Sequence, residues 1–505
     1  MAAFTWQDGL ATFGDDSASY LTLAHLFAGA AGIPMVAQWA PYHTNFPPLF
    51  PLMLAWSGGV RDMHIAFALV AVFGAAGSVL FYRFAATQVG ERAGLASAIL
   101  FLLAPTAWIS LKGVLSESLF LTLCMASLLL HATRLSTRQA GILDWLAFGV
   151  LLACAALTRT IGIVLFVAYA AGLLWRLAFE KEKPSRRELL PALPVIALLG
   201  AWYGLRPQPP VDSYGVAASW VIGSWMQSPA DTFVGALRIF MDGWIRSFMA
   251  GQDVAGAAKA VYAALGIVAI GGAISRARRG LLDGRFAVLY LVVVFAWPFS
   301  ADTTRRLLYP VIPLAILCIV EAVRAMLDRA RWFGRRRALA ATAAAALPVL
   351  LSAPAIAMIG QRSADIRPVI EGCPQRHRDI SDYFSTVNLE EAEKLAVLEA
   401  TVLCGLQSLE RVTPPESIVM WTRPEYVALL GHRRARAYYK RWSQADLADH
   451  IDRDKVSYVV VTQIDKTDLE GNASAAPALE SMGTVPVFML SDGIFALYRP
   501  AKGSR

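Results

Sequence analysis

Apolar blocks of about 15–23 residues recur along this chain, separated by short polar turns, a spacing set by the hydrocarbon thickness of a bilayer. Ten of them predict membrane helices near 64–84, 93–110, 113–133, 140–158, 160–178, 188–205, 257–275, 286–300, 306–326 and 338–360. Pro298, Pro310 and Pro313 interrupt two blocks, where the freed backbone groups need a neighbouring helix or a cavity. From 361 the pattern changes. Asn388–Val412 has helical spacing, Ser417–Trp421 and Tyr458–Thr462 are short β-rich runs, and Val485–Leu490 with Ile494–Arg499 predicts a hairpin. The chain therefore divides into a first external loop (1–63), a membrane domain (64–360) with an external loop at 206–256, and a small α/β domain (361–505).

Lys and Arg set the orientation. The turns from Arg83–Arg92 to Arg324–Arg337, taken alternately, hold nineteen, against nine in the other set, so the richer set faces the cytoplasm. Residues 1–63, 206–259 and everything after 360 then face outward. Composition agrees: 505 residues at 56% hydrophobic and 17% charged, with mean hydropathy +0.48, exclude a cytosolic enzyme, a disordered chain and a disulfide-rich secreted module. The net charge of +8 is accounted for by this topology, so nucleic acid is not implied. Of five cysteines, Cys124, Cys154 and Cys318 fall in membrane helices as small packing residues. Cys373 and Cys404 fall on the oxidising side, where a bridge between them is open.

Ionisable groups at a membrane rim are costly and mark the place to look for chemistry. One outward face collects Asp15 and Asp16 ahead of the amphipathic stretch 17–24. It also collects His43 and Asn45 before Phe46-Pro47-Pro48-Leu49-Phe50-Pro51, then Lys112, Ser116, Glu117 and Ser118 where two helices meet. Arg159 closes another helix pair, and Asp302, Arg305, Arg306 and Tyr309 fill the last outward turn. Plainer readings stand beside these. An aspartate before an apolar-periodic run caps a helix, rim arginines snorkel, Glu117 can be a structural pair, His43 a loop residue and His25 a surface residue. Cys373-Pro-Gln-Arg-His377 is too sparse for a metal site. The set suits transfer of a group from a lipid phosphate, which needs a cation for the departing phosphate and a carboxylate base for an incoming hydroxyl. Phosphate-cradling glycine loops and a nucleophile elbow are absent from the sequence.

Asp16-Ser-Ala-Ser-Tyr20-Leu-Thr-Leu-Ala24, followed by Asn45-Phe-Pro-Pro-Leu-Phe-Pro51, resembles the first external loop of GT-C membrane glycosyltransferases, nearest to the bacterial protein-mannosyltransferase-like and aminoarabinose-transferase-like enzymes. Arg306-Leu-Leu-Tyr309-Pro310-Val-Ile-Pro313 resembles their late Arg/Tyr–Pro–Pro segment, and Ser116-Glu117-Ser118 an outer-face Ser-Glu motif. In the tail, Pro414–Met420, Arg423-Pro424-Glu425-Tyr426 and Tyr458–Val461 are similar too. The resemblance implies an α-helical polytopic membrane protein of GT-C type with a small C-terminal extracytoplasmic α/β domain, in a bacterial inner membrane. It implies inverting transfer of a sugar from a polyprenyl-phosphate-linked donor to a hydroxyl of a lipid, glycan or protein acceptor. Asp16 would be the base with Asp15 beside it. Glu117 and His43 would position acceptor, sugar or metal, with Asn45 in the same loop motif. Lys112, Arg159, Arg305 and Arg306 would compete for the lipid phosphate, with Tyr309 as a hydrogen-bonding neighbour. The resemblance implies no certain cofactor; it allows a divalent metal ion, which some relatives use or bind, though no ligand spacing here demands one. Relatives place a membrane helix before the acidic motif, whereas fourteen residues precede Asp15 here, so an upstream start or an outward N-terminus is expected. The alternatives are a lipid-carrier flippase or transporter, and a non-catalytic membrane subunit.

Overall fold

The computed structural model describes residues 16–29, 46–136, 140–206, 213–248, 256–297, 300–329, 389–438, 443–462 and 475–500. Two short helices, α1 (Ser17–Phe27) and α2 (Leu49–Ser57), precede the bundle. The bundle opens with α3 (Met63–Val89) and α4 (Glu91–Leu103). Next come α5 (Pro105–Ile109), α6 (Glu117–Leu130), α7 (Ile142–Thr158) and α8 (Ile163–Trp175). The helix expected over 93–110 is thus two, because Pro105 cannot donate to the preceding turn and instead starts α5. Both α6 and α8 end in π-helical turns, His131–Leu135 and Arg176–Glu180.

The chain continues through α9 (Arg186–Leu189) and α10 (Ala192–Leu205) to α11 (Ser213–Gln227) and α12 (Pro229–Phe248). The segment 206–256, expected as an external loop, is therefore largely helical. Asp231, Arg238, Asp242 and Arg246 keep α12 from reading as a span, while Ala236, Gly243, Trp244 and Phe248 bury its other face. Then follow α13 (Gly256–Arg278), α14 (Leu282–Ala296), α15 (Ala301–Leu308) and α16 (Ile312–Arg329). Six helical segments among the described residues are long and apolar enough to cross a membrane. The block at 338–360 lies outside the described residues.

Exposed Val72, Ile99, Leu143, Ile196 and Ile267 face the lipid; polar groups are gathered at the two ends. At the end away from α1, the buried Arg276 donates to Asp283, to Glu321 Oε2 at 2.7 Å and to Gln88 Oε1 at 2.7 Å. This ties α3, α13, α14 and α16 together.

The C-terminal unit carries α17 (Leu389–Val412), β1 (Ile418–Trp421), α18 (Pro424–Gly431), β2 (Arg434–Ala437), α19 (Gln444–Arg453), β3 (Tyr458–Thr462), β4 (Val485–Leu490) and β5 (Phe495–Arg499). The sheet order is β2-β1-β3-β5-β4, parallel on the β2 side and antiparallel at the β4–β5 hairpin. Both faces of β3 are covered, as its unbroken apolar run Tyr458–Val461 requires. Met420, Val459 and Val461 turn to one core with Leu447 and Ile451 of α19. Val419, Trp421, Val460 and Leu497 turn to the other, with Leu403 and Leu406 of α17 and Val427 of α18. That second core also contains Ala18, Tyr20, Leu21 and Ala24 of α1, Phe50 and Leu54 of α2, and Phe67, Val70, Leu115 and Leu119 of the bundle. One apolar core therefore runs from membrane helices through α1 into the sheet. Cys404 is disulfide-bonded, while Cys124, Cys154 and Cys318 are free thiols; Cys373 lies outside the described residues.

Leu21, 3% exposed, sits at the centre of this junction. Leu21→Asp puts an unpaired carboxylate there, at a cost of several kcal/mol. Limited proteolysis of the detergent-solubilised chain should then release the C-terminal unit much faster than in the wild type. Unchanged resistance would show that the two parts do not depend on α1.

Candidate functional site

Four side chains from stretches far apart in sequence meet where α1, α6, α7 and α15 converge. Glu117, the first residue of α6, has its side chain 1% exposed. Its Oε1 accepts from Arg159 Nη1 at 2.9 Å and from Arg306 Nε at 3.0 Å, with Arg306 Nη2 at 2.9 Å. Arg306 Nη2 also donates to Asp16 Oδ2 at 3.0 Å. Arg306 thus bridges the two carboxylates, and Glu117 anchors two guanidiniums. Glu117 Oε2 is buried and has no hydrogen-bond partner among the described residues.

Local structure aims each group. Asp16 stands at the N-cap position of α1, but its side chain makes no cap hydrogen bond; it reaches to Arg306, so the capping alternative does not describe it. The α7 helix stops at Thr158 and Arg159 turns into extended backbone (φ −145°), which swings its side chain towards Glu117. The following turn is tight: a Cβ on Gly162 would stand 2.3 Å from the Ala155 carbonyl oxygen. Arg306 lies in the last turn of α15, whose start is capped by Ser300 accepting from Thr303 N–H at 3.2 Å. Its end is held by Tyr290, whose hydroxyl donates to the Leu307 carbonyl at 2.9 Å.

Tyr20 locks α1 onto this cluster. Its ring packs edge-on against Phe46 (5.4 Å) and Phe50 (5.3 Å), and its hydroxyl lies 2.8 Å from Ser116 Oγ. Ser116 also accepts from Arg159 Nη1 at 3.3 Å. The two halves of the loop motif, Asp16–Tyr20 and Phe46–Pro51, therefore fold against each other and against Ser116. Burial pushes the Tyr20 hydroxyl above its ordinary pKa, with Arg159 acting in the opposite direction.

Of the other residues singled out in sequence, Lys112 is 9% exposed, four residues before Ser116, and its ammonium makes no hydrogen bond or ion pair among the described residues. Arg305 is buried beside Arg306 in sequence, and Tyr309 is buried against Phe101. Asp15, His43 and Asn45 lie outside the described residues. His25 is half-buried rather than a surface residue; burial and neighbouring His432 lower its pKa.

Glu425 is the residue that sequence reading left out of the site. It opens α18, which packs on α1, and its carboxyl is close enough to Asp16 to feel that charge. Burial raises its pKa, Arg423 opposes the shift and Asp16 adds to it. The signal was present as Arg423-Pro424-Glu425-Tyr426, but nothing in the pattern told which element it would face.

Among the described residues no three His, Cys, Asp or Glu side chains converge. Asp16 and Glu117 already share Arg306, so the described set does not fit a metal centre. A cavity of about 810 Å³ runs between α12, α13, α14 and α16 and is lined by none of the four cluster residues. Phe240, Ile267, Leu291 and Val311 are among its apolar lining, and Val311 follows Arg306 by five residues.

No protein-family model matches this chain, and no curated protein matches it in sequence. Solved structures do. ArnT from Cupriavidus metallidurans bound to undecaprenyl phosphate superposes with TM-score 0.55 at 12% identity, over 99% of this chain and 97% of that one. The archaeal oligosaccharyltransferase AglB from Archaeoglobus fulgidus, in complex with an inhibitory peptide and a dolichol-phosphate, gives 0.53 at 13% identity over 99% and 73%. The Archaeoglobus fulgidus oligosaccharyltransferase with Zn and sulfate gives 0.53 at 12% identity; the chain spans 65% of its length. The fold is therefore that of GT-C membrane glycosyltransferases.

Two outcomes test the geometry. Glu117→Leu leaves two guanidiniums without their carboxylate and should cost about 3–5 kcal/mol, read as a lower unfolding temperature in detergent. Glu425 titrates above its unfolded value, so its contribution is present at acidic pH and is lost as pH rises through the raised pKa. Glu425→Gln should flatten that part of the pH dependence of protease resistance at the α1–α18 contact; an identical profile in both proteins would contradict it.

Proposed function

We propose that the chain is an integral-membrane inverting glycosyltransferase that moves a sugar from a polyprenyl-phosphate-linked donor to a hydroxyl acceptor, at the face of the membrane where α1 lies. The observation that carries this reading is the Asp16–Arg306–Glu117 bridge, in a bundle that also holds an apolar cavity reached five residues after Arg306 at Val311. Arg159 and Arg306 pair with Asp16 and Glu117, and the buried Lys112 and Arg305 lie four residues before Ser116 and next to Arg306 in sequence, so added cations adjoin the bridge before substrate arrives. Such a field suits a lipid phosphate. The cavity between α12, α13, α14 and α16 suits an isoprenoid tail. The fold shared with structures holding undecaprenyl phosphate and dolichol-phosphate supports the same substrate class.

In this reading the Asp16 carboxylate accepts the proton of the acceptor hydroxyl. The freed oxygen attacks the anomeric carbon from the face opposite the phosphate, the carbon–oxygen bond to the phosphate breaks, and the phosphate leaves with the electron pair. Lys112, whose ammonium has no competing partner among the described residues, is the first cation to meet that phosphate, and the fixed guanidinium of Arg306 steadies the charge that develops. Glu117 holds Arg159 and Arg306 in place and does not touch the reacting atoms. Asp15 and His43 are proposed as neighbours of acceptor or sugar, with Arg305 and Tyr309 lining the phosphate side. The charge bias of the turns supports an extracytoplasmic side for α1 and the α/β unit, which in the proposed bacterial inner membrane is the periplasm. Transport is disfavoured because the charged groups gather at the two ends of the bundle rather than at broken helices at mid-depth.

The test is release of polyprenyl phosphate by the purified full chain from a panel of synthetic polyprenyl-monophosphate hexoses and pentoses, with native membranes as acceptor source. Wild type should release it from at least one donor. Asp16→Asn should lower the rate by about 10²–10⁴ with an unchanged unfolding temperature, and full activity in that variant would remove Asp16 from the reaction. Lys112→Gln should weaken donor binding while leaving the fold intact, measured as the donor concentration giving half-maximal release.

A further inference from the structure

The end of the bundle opposite Asp16 carries a second polar cavity, of about 400 Å³. Its walls come from the π-helical ends of α6 and α8 and from the α13–α14 turn, the far ends of helices whose near ends hold Glu117 and Arg159. Glu117 and Leu135 delimit one 19-residue span, so the Glu117 cluster and this cavity stand roughly 27 Å apart along that helix. Arg176, Arg278, Arg279 and Arg285 line the second cavity against Glu180 and Glu188, leaving two positive charges in excess.

The pairing within it is uneven. Arg176 donates to Glu188, and Arg279 to Glu321 Oε1 at 2.7 Å. The guanidiniums of Arg278 and Arg285 make no ion pair or hydrogen bond among the described residues, and Arg285 is half-buried. Room for Arg285 is made by Gly172: a Cβ there would lie 1.9 Å from Arg285 Nη1, so any side chain would push the guanidinium out. Arg285 feels Glu180 at a distance and is opposed by Arg176; a partly desolvated guanidinium held that loosely gains from an anion brought into contact with it.

Opening from the same residues is an apolar groove of about 440 Å³. Trp175, Arg278 and Arg285 line both spaces, and Ala171, Ala277, Val288 and Leu289 continue the groove along α8, α13 and α14. A cationic pocket joined to an apolar trough matches one chemistry: a phosphate diester attached to an acyl chain. Free phosphate would use the pocket and leave the trough empty.

We propose that this cavity binds an anionic glycerophospholipid of the adjoining leaflet, with its phosphate between Arg278 and Arg285 and one acyl chain in the trough lined by Ala277 and Val288. The charge bias of the turns makes that leaflet the inner one. The site is separate from the Asp16–Glu117 cluster and does not rest on the transfer reading.

The test is native mass spectrometry of the purified full chain with 1-palmitoyl-2-oleoyl phosphatidylglycerol or phosphatidylcholine. It is paired with a photoactivatable phosphatidylglycerol whose crosslinks are mapped by peptide sequencing. Wild type should retain phosphatidylglycerol over phosphatidylcholine by about tenfold or more, with crosslinks on α8, α13 and α14 around Trp175, Ala277 and Val288. Arg278→Gln with Arg285→Gln should abolish the preference, Arg285→Lys should keep most of it, and Ala277→Phe should weaken retention by filling the trough. Asp16→Asn should change nothing. Inorganic phosphate at equal concentration should not displace the lipid. An undiminished preference in the double variant, crosslinks confined to other helices of the wild-type chain, or displacement by inorganic phosphate would each overturn the proposal.

Discussion

A buried carboxylate between two guanidiniums is the constraint on which the α1 end of this molecule depends. Glu117 is shielded from water, and at that depth a carboxylate stays ionised only if cations reach it directly. Arg159 and Arg306 do so, from the end of one helix and the last turn of another. Once Glu117 fixes them, Arg306 has one donor group left facing α1, and Asp16 takes it. Four helices that are remote in sequence are thereby set in register by one charge balance. Leu or Ala at the same positions would pack but would specify no such register.

The same contact explains why the α/β unit sits where it does. Asp16 and Tyr20 hold α1 on the bundle through Arg306 and Ser116. The apolar residues of α1, Ala18, Leu21 and Ala24, then become part of the floor on which α17, α18 and the sheet rest. Glu425 and His432 come with α18 and face Asp16 and His25. A unit joined to the bundle only by its linker could swing; one sharing a core with α1 reports the state of the Asp16 cluster. One short helix therefore joins the two parts: Asp16 at its start pairs with Arg306, and its apolar residues enter the core shared with the sheet.

The two ends of the bundle differ in how charge is settled. At the α1 end cations and carboxylates are cross-linked into a compact bridge. At the far end Arg276 is saturated by Asp283, Glu321 and Gln88, which fastens the helices, while Arg278 and Arg285 are left facing a cavity. The side chains of Lys112 at one end and Arg285 at the other have no hydrogen-bonded carboxylate among the described residues.

Much of this was legible without coordinates. The apolar blocks set helix positions because a bilayer demands about twenty residues per crossing, and the strands of the α/β unit showed in β-branched runs such as Tyr458–Val461. The charged residues of the α1 end could be placed at one face by counting turns. Counting could not say that Asp16 would leave its cap position for Arg306, or that Arg159 would choose Glu117. It missed α12 as well, since its charges masked the face that buries Trp244. Glu425 and the Arg278–Arg285 pocket were equally out of reach. Hydropathy and charge bias are one-dimensional quantities, summed along a helix or a loop, and they fix depth and side. Which side chains touch is decided by the rotation and packing of helices tens or hundreds of residues apart, and only the tertiary structure holds that information.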